Sequence, residues 1–412
     1  MIQEKLQNKV NEIAINVQQS RFESIRKKDI TKTAIRVYDN DCIGISSGIG
    51  KINEEELAKK AIDGLQLQIP YPVSPEKDRT KSILPTHPVM SEDEFIENMK
   101  DLLNDLRVQN PQFSFSNKLI LRKSHHTLHN DVGLSLSQCI ELYQMSLLIN
   151  HQDSSNLFDA AMGYQSNHYD RTILSNYIHE LCQAYNNLLE DFQDGEYPIL
   201  FDSSDQTYLA KLLRDLHGHI FASGSSLFSN RIGECLFQPS FSLYTTRSQQ
   251  EYSSVPFFDL EGVFHENYRF PLIRNGILES PYTDKKTAQS HHYTPTGSAG
   301  GSYDSVPTIG VPMTFIPSTG KTIEEILQGE KGIVVVMASG GDFTPDGHFG
   351  TPVQLSYLFD GKNFVGRLPQ ISLSSEVFAM FGKDFMGVSS NSLFPLDDSR
   401  QTLIRMKVNK IS

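Results

Sequence analysis

The sequence predicts an α+β fold in two parts, a mixed α/β unit over residues 1–195 and a β-rich unit over 196–412, and three observations carry that reading. Short runs of alternating apolar and polar residues recur along the chain, as half-buried strands require. Helical starts are marked by caps: Asn53 precedes Glu54-Glu-Glu, and Ser91 precedes Glu92 and Glu94. Gln193-Asp-Gly-Glu-Tyr-Pro198 then punctuates the chain, and beyond it short strands, Gly and Pro dominate.

In order, Val10, Ile13, Ala14 and Val17 have helical spacing and predict a first helix. Phe22–Arg26 and Thr33–Tyr38 alternate as strands, and the second turns through Asp39-Asn-Asp41 into Cys42–Ser46 as a hairpin. A capped helix follows over 54–64. Five prolines between 70 and 88 predict a connector over about 68–90, and a second capped helix runs from Ser91 to about Arg107. Leu119–Arg122 and Leu142–Leu148 read as strands, and Thr172–Phe192 as a long helix with Leu174, Ile178 and Leu181 turned inward. In the second part Ser240–Thr245, Phe257–Phe264 and Pro271–Leu278 read as strands. The last folds on itself through Asn275-Gly276, a pair that accepts positive φ.

Length and composition fit a globular protein large enough for two or three domains, with 412 residues, 38% hydrophobic and 10% aromatic. Thirty-seven Lys and Arg against 49 Asp and Glu give a net charge of -12, which argues against nucleic acid as a partner. No run approaches the roughly 18 apolar residues of a membrane span. Four widely spaced cysteines, Cys42, Cys139, Cys182 and Cys235, predict reduced thiols, and with no signal-peptide pattern the expected location is cytoplasmic.

Several motifs invite chemical readings. Gly44-Ile-Ser-Ser-Gly48 fits the G-x-S-x-G pattern, but the next helix starts too late for a nucleophile elbow, so small residues at a strand end are the expectation for Ser46. His125, His126 and His129 are expected in a solvated loop. Asp259 and Glu261, two apart in a predicted strand, leave on one face. A shared acid-base site is possible in principle, and a solvated strand end is expected. His348, in a Gly- and Pro-rich loop, is a candidate for substrate binding.

Leu209, Leu212, Leu213 and Leu216 give one apolar face to a predicted helix whose other side carries Arg214, Asp215, His217 and His219. Here the chain resembles the TldD/PmbA (TldE) family, whose metal-bearing members carry Leu-Leu-His-Glu-x-x-x-His on this helix and a late Cys ligand. The run Leu212–His219 keeps the second His as His219 but has Asp215 for the Glu and Arg214 for the first His, and no Cys follows Cys235. A guanidinium has no lone pair to offer a metal. The resemblance extends through Asp259-x-Glu261-Gly262-Val263, Leu272–Leu278, Pro295–Gly301, Thr322–Leu327, Lys331–Met337, Gly341–Phe349, Leu358–Lys362 and Leu368–Leu373.

The resemblance implies a two-domain protein that dimerises around a chamber, in which a metal-bearing subunit cleaves unfolded peptide and a partner without ligands completes the enclosure. The expectation for this chain is a TldE/PmbA-like subunit or relative with no complete metal site, pairing as a homodimer or with a zinc-bearing TldD-like subunit. Two alternatives stand beside it. One is an active metallopeptidase with a non-standard ligand set drawn from Asp215, His217, His219 and His348; the other is an interaction protein without a proteolytic role.

Overall fold

The computed structural model describes residues 1–203, 205–338, 340–394, 396 and 399–411. Among them the strands form four sheets, and the largest helices lie in the first half.

The first sheet is built from long strands: β1 (Ile2–Gln18), β2 (Arg21–Asp39), β3 (Cys42–Ile49), β4 (Arg79–Ile83), β5 (Phe113–Asn130), β6 (Leu134–His151) and β7 (Ala160–Ser166). Their order is β3-β2-β1-β5-β6-β4, with β7 also on β6. The β2–β3 turn places Asn40 and Asp41 at φ of 48° and 59°, as a tight hairpin demands. The helix expected at Val10–Val17 is instead part of β1. Ile13, Ile15 and Val17 are buried on one face, whereas Glu4 and Leu6 are buried on the other. A strand that changes its buried face part-way mimics helical spacing, because apolar residues of opposite parity then sit three or four apart. β6 makes the same change at Leu142–Tyr143, where buried even positions give way to buried odd ones.

The helices α1 (Glu54–Gly64), α2 (Glu92–Gln109) and α3 (Arg171–Asn186) begin at side-chain caps, Asn53, Ser91 and Asp170. Ser91 and Glu94 complete a capping box. α3 stops at Asn186, short of the expected Phe192. Phe95, Met99, Leu102, Leu103 and Leu106 of α2 and Leu174, Ile178 and Leu181 of α3 fill one core with the odd face of the sheet. The Pro-rich connector contains β4, which pairs in parallel with Leu134–Gln138. His125, His126 and His129 lie on β5, inside the sheet and not in a solvated loop, each with a serine hydroxyl within 3.2 Å. Burial and the neighbouring His125 push His126 down to about 4.

The second half starts with β8 (Gly195–Asp202) and the short helices α4 (Ala210–Asp215) and α5 (Gly218–Ala222). Next come β9 (Leu243–Thr246), β10 (Arg269–Arg274), β11 (Ile277–Leu278), α6 (Lys285–His291), β12 (Ala299–Gly300), β13 (Thr308–Ile309), β14 (Thr314–Phe315) and α7 (Ile323–Leu327). The chain ends with β15 (Gly332–Ala338), β16 (Asp342–Phe343), β17 (His348–Phe359), β18 (Phe364–Arg367), β19 (Ile371–Glu376), α8 (Val377–Met380), β20 (Phe385–Val388) and β21 (Gln401–Lys410). The order β15-β8-β21-β19-β17 closes through a further β15–β17 pairing, so these strands form a ring. Ile199, Ile333, Leu373, Ile404 and Val408 of that ring share a core with the α4 leucines. A smaller sheet, β11-β10-β9-β14, lies beside it, and Asn275 and Gly276 turn the expected hairpin at φ of 52° and 78°. Phe257–Phe264, expected as a strand, is a loop that packs Phe257 and Phe258 against Leu6, Leu128 and Leu136 of the first sheet.

The glycines of the G-x-S-x-G stretch have a packing reason. A Cβ on Gly44 would lie 2.0 Å from the Ala61 carbonyl oxygen, so α1 rests directly on the β3 backbone, and Ser46 pairs with Ile35 in mid-sheet instead of topping an elbow. Gly44→Ala should therefore cost about 2–3 kcal/mol in urea unfolding. Gly163→Ala, on β7 where the added methyl meets open space, should change stability far less; equal effects would contradict this packing.

Candidate functional site

The helix expected over Leu209–His219 breaks in two. Leu209, Leu212, Leu213 and Leu216 are buried as their spacing requires, but the backbone is extended at His217 (φ -66°, ψ 123°). The interruption has a cause: Tyr282 donates its N–H to Leu216 O at 2.9 Å, and Gly218 donates to Tyr282 O at 3.0 Å. A Cβ on Gly218 would come within 2.7 Å of Thr287 Cγ2, so only glycine allows the two segments to approach so closely.

The break decides where the polar residues go. Asp215 turns into the core, paired with buried Lys211 at 3.0 Å and accepting the Leu227 N–H at 3.0 Å. Arg214 is exposed. His217 and His219 are brought together, with ring centroids 5.8 Å apart, and His291 of α6 lies 5.8 Å from His219. His219 Nε2 is 3.1 Å from Thr287 Oγ1, and His217 Nδ1 is buried without a hydrogen-bond partner among the described residues. Burial and then His219 lower the His217 pKa, which keeps that ring neutral at physiological pH. His348 lies elsewhere, two-thirds exposed at the start of β17, with Asp346 3.6 Å away.

The buried carboxylates are at the join between the first sheet and the second half. Asp259 and Glu261 are 3% and 4% exposed, so the expectation of a solvated strand end is wrong. They sit in a turn, and its Gly262 has φ of 76° with a virtual Cβ 3.1 Å from Leu134 of β6. Asp259 organises this turn. Its Oδ1 accepts the N–H groups of Glu261 and Val263, and its Oδ2 accepts that of Ala299, each at 2.9 Å. Glu261 accepts the Tyr71 hydroxyl and, at 2.8 Å, the Lys285 N–H. Arg36 of β2, fully buried beside Glu4 and Tyr38, donates to the Leu260 carbonyl in the same turn.

Burial, reinforced by the Asp259 charge, pushes the Glu261 carboxyl up to about 8. Burial also raises Asp259, against the opposing pull of Arg247 and of three N–H donors.

Next to this turn a cleft of about 610 Å³ opens between β6 and the 247–269 segment. Arg247 and Arg269 line it, and neither is marked by any pattern in the sequence; nor is Tyr71, which lies inside the Pro-rich connector.

A model of the PmbA/TldA metallopeptidase C-terminal domain matches residues 194–408. The chain belongs to the PmbA/TldD family. Solved structures share its fold: TldE from Thermococcus kodakarensis is 18% identical with a TM-score of 0.81, covering 100% of this chain and 96% of that one. A candidate modulator of a DNA gyrase from Thermotoga maritima is 13% identical with a TM-score of 0.76 over 99% and 96% of the two chains. A candidate modulator of DNA gyrase from Bacteroides thetaiotaomicron is 14% identical with a TM-score of 0.78 over 100% and 95%. No curated protein matches the chain.

At the positions where the resemblance implies zinc ligands in metal-bearing PmbA/TldD members, this chain carries other groups. Arg214 stands at the first ligand position, and Asp215 is bound to Lys211 and a backbone amide. Among the described residues no group of three or more His, Cys, Asp or Glu side chains is placed to hold a metal ion. Nor does any helix among them have the length and apolarity to cross a membrane.

The proton on Glu261 has a measurable consequence. A carboxyl raised from its ordinary value near 4.5 to about 8 contributes stability in full below 4.5 and loses it as pH rises toward 8. Across that window the unfolded chain ionises while the folded chain stays protonated, a slope of at most about 1.4 kcal/mol per pH unit. Glu261→Gln mimics the protonated acid, so its urea midpoint should fall less steeply than the native one between pH 5 and 8. Parallel slopes would contradict the assignment.

Proposed function

We propose that this chain is a TldE/PmbA-like subunit, or a diverged relative, of a peptide-processing metalloprotease assembly, and that it shapes the chamber and holds substrate without a complete metal site of its own. The observation that carries this reading is the ligand helix. Where the family pattern places a His it has a cation, and where the pattern places a Glu it has an Asp closed into an ion pair with Lys211. On this reading zinc belongs to a TldD-like partner, the catalytic step is the partner's, and the assembly is a mixed dimer or a homodimer with a binding role. The division at residue 195 then separates a unit of long strands and helices from the unit that the family model covers.

Support for a substrate-holding role comes from β6. β4 pairs with its residues 134–138 and β7 with 143–149, and between them no strand among the described residues pairs with 139–142 on that side. Those four residues face the cleft through Cys139, Ile140 and Glu141. An open stretch of strand grips an extended chain through its backbone and asks little of its sequence, which suits unfolded peptide. The acidic charge of the chain gives no support to a role on DNA.

A second reading rests on the His217, His219 and His291 rings: a metallopeptidase with a rearranged ligand set. The two are separated by measuring bound zinc and peptidase activity in the isolated chain and after co-expression with a metal-bearing relative. The proposal expects no stoichiometric zinc in the isolated chain and chelator-sensitive activity only in the mixed sample. Stoichiometric zinc in the isolated chain, lost in His219→Ala, would overturn it in favour of the second reading.

A further inference from the structure

The cleft between β6 and the 247–269 segment is lined by a guanidinium that the protein orients and leaves with a free donor. Arg247 donates from Nε to the Gly297 carbonyl at 2.7 Å and from Nη1 to the Phe258 and Pro256 carbonyls at 3.0 and 3.4 Å. Carbonyl oxygens fix the guanidinium plane without carrying net charge. Asp259 is the nearby carboxylate and offsets the charge through space, but its oxygens bind the amides of Glu261, Val263 and Ala299 and not the guanidinium. Nη2 makes no hydrogen bond to any described residue, and the side chain lines the cleft. With Nε and Nη1 committed to carbonyls, Nη2 is the nitrogen left to donate into the cleft, and a carboxylate is the acceptor that gains most from such a charged donor.

A second arginine lines the same wall. Arg269 stacks on Phe315, its carbon centre 4.0 Å from the ring centroid, and its Nε is buried with no partner among the described residues. Glu251 pairs with it through one oxygen and accepts the Thr246 hydroxyl with the other, so Arg269 adds no uncompensated charge. Glu141, the acid on the opposite wall, is within 3.4 Å of Lys123 and accepts the Val89 N–H at 3.2 Å, so it does not offset Arg247. The cleft is lined besides with the polar side chains of Ser248, Gln250, Asn167 and Asn267.

We infer that this cleft binds the terminal carboxylate of an extended peptide, with Arg247 as its receptor and the unpaired stretch of β6 alongside the last residues. The inference rests on the peptide-holding role proposed above and adds to it a chain end. Four residues of strand span roughly 13 Å, and the cleft, at about 610 Å³, is of a size to take a few residues. The binding is therefore for short, free C-terminal tails and not for the middle of a chain.

The test measures binding of one fluorescent, uncharged octapeptide to the full native chain in three forms: free acid, C-terminal amide, and amide with Glu as the last residue. The free acid should bind roughly ten- to a hundredfold more tightly than the amide, and high salt should narrow the gap. Arg247→Gln should abolish the difference. Because Arg247 also ties loops together, a melting curve accompanies that variant, and the comparison of acid with amide on the native chain decides the matter if the variant does not fold. Equal binding of acid and amide would leave peptide holding intact and remove the carboxylate receptor. If the Glu-ended amide matches the free acid, the terminal assignment falls, since a side-chain carboxylate then serves as well. If no form binds, the peptide-holding role fails and this inference fails with it.

Discussion

Everything at the centre of the molecule depends on three backbone amides pointing at one carboxylate. Asp259 collects the N–H groups of Glu261, Val263 and Ala299, and that closes a turn tight enough for its Gly262 to sit against Leu128 and Leu134 of the first sheet. With the turn closed, the Leu260 carbonyl reaches Arg36 on β2, and Glu261 reaches Tyr71 in the connector and Lys285 at the start of α6. The same closure puts the Phe258 and Gly297 carbonyls where they hold Arg247 at the cleft. One side chain thereby sets both how the halves meet and which way the cleft's cation points.

Burying so many ionisable groups is costly unless each finds partners, because desolvation penalises every charge taken from water. Here the cost is met unevenly. Glu261 takes up a proton near neutrality, Asp259 is satisfied by amides, and Lys211 and Asp215 neutralise each other in the other core. Arg36 is fully buried with Nε and Nη2 unpartnered among the described residues, despite Glu4 beside it. Joints of this kind tolerate loss of a partner poorly, since the remaining charge stays buried. α4 follows the same logic, its Asp215 closed into an ion pair with Lys211.

The sequence was legible where local rules act alone. The caps at Asn53 and Ser91, the Asn275-Gly276 hairpin and the leucine face of α4 are where residue chemistry puts them. It misled where tertiary contacts override spacing. β1 looked helical because its buried face changes between Leu6 and Ile13, and the predicted helix through His219 broke because Tyr282, far downstream, hydrogen-bonds into it at Leu216 and Gly218. Asp259 and Glu261 looked like a solvated strand end, since nothing in Asp-Leu-Glu-Gly reveals that a second sheet covers it. The family motifs were read correctly as a set. Two of them, the Asp259 turn and the Pro295–Gly301 stretch, meet in space through the Ala299 N–H. Arg247, Arg269 and Tyr71 carried no signal, because a lone Arg or Tyr becomes notable only once its neighbours are known.

The central claim is that the Asp259 carboxylate, through its three amide donors, holds the two halves together and fixes the cleft. Amide hydrogen exchange on the native chain and on Asp259→Asn tests it directly, because an Asn side chain must turn an N–H donor toward amides that also donate. The account predicts faster exchange at Glu261, Val263 and Ala299 together with faster exchange in β2 around Arg36 and in the 70–76 connector. Acceleration confined to the turn itself, with β2 and the connector as protected as before, would contradict it.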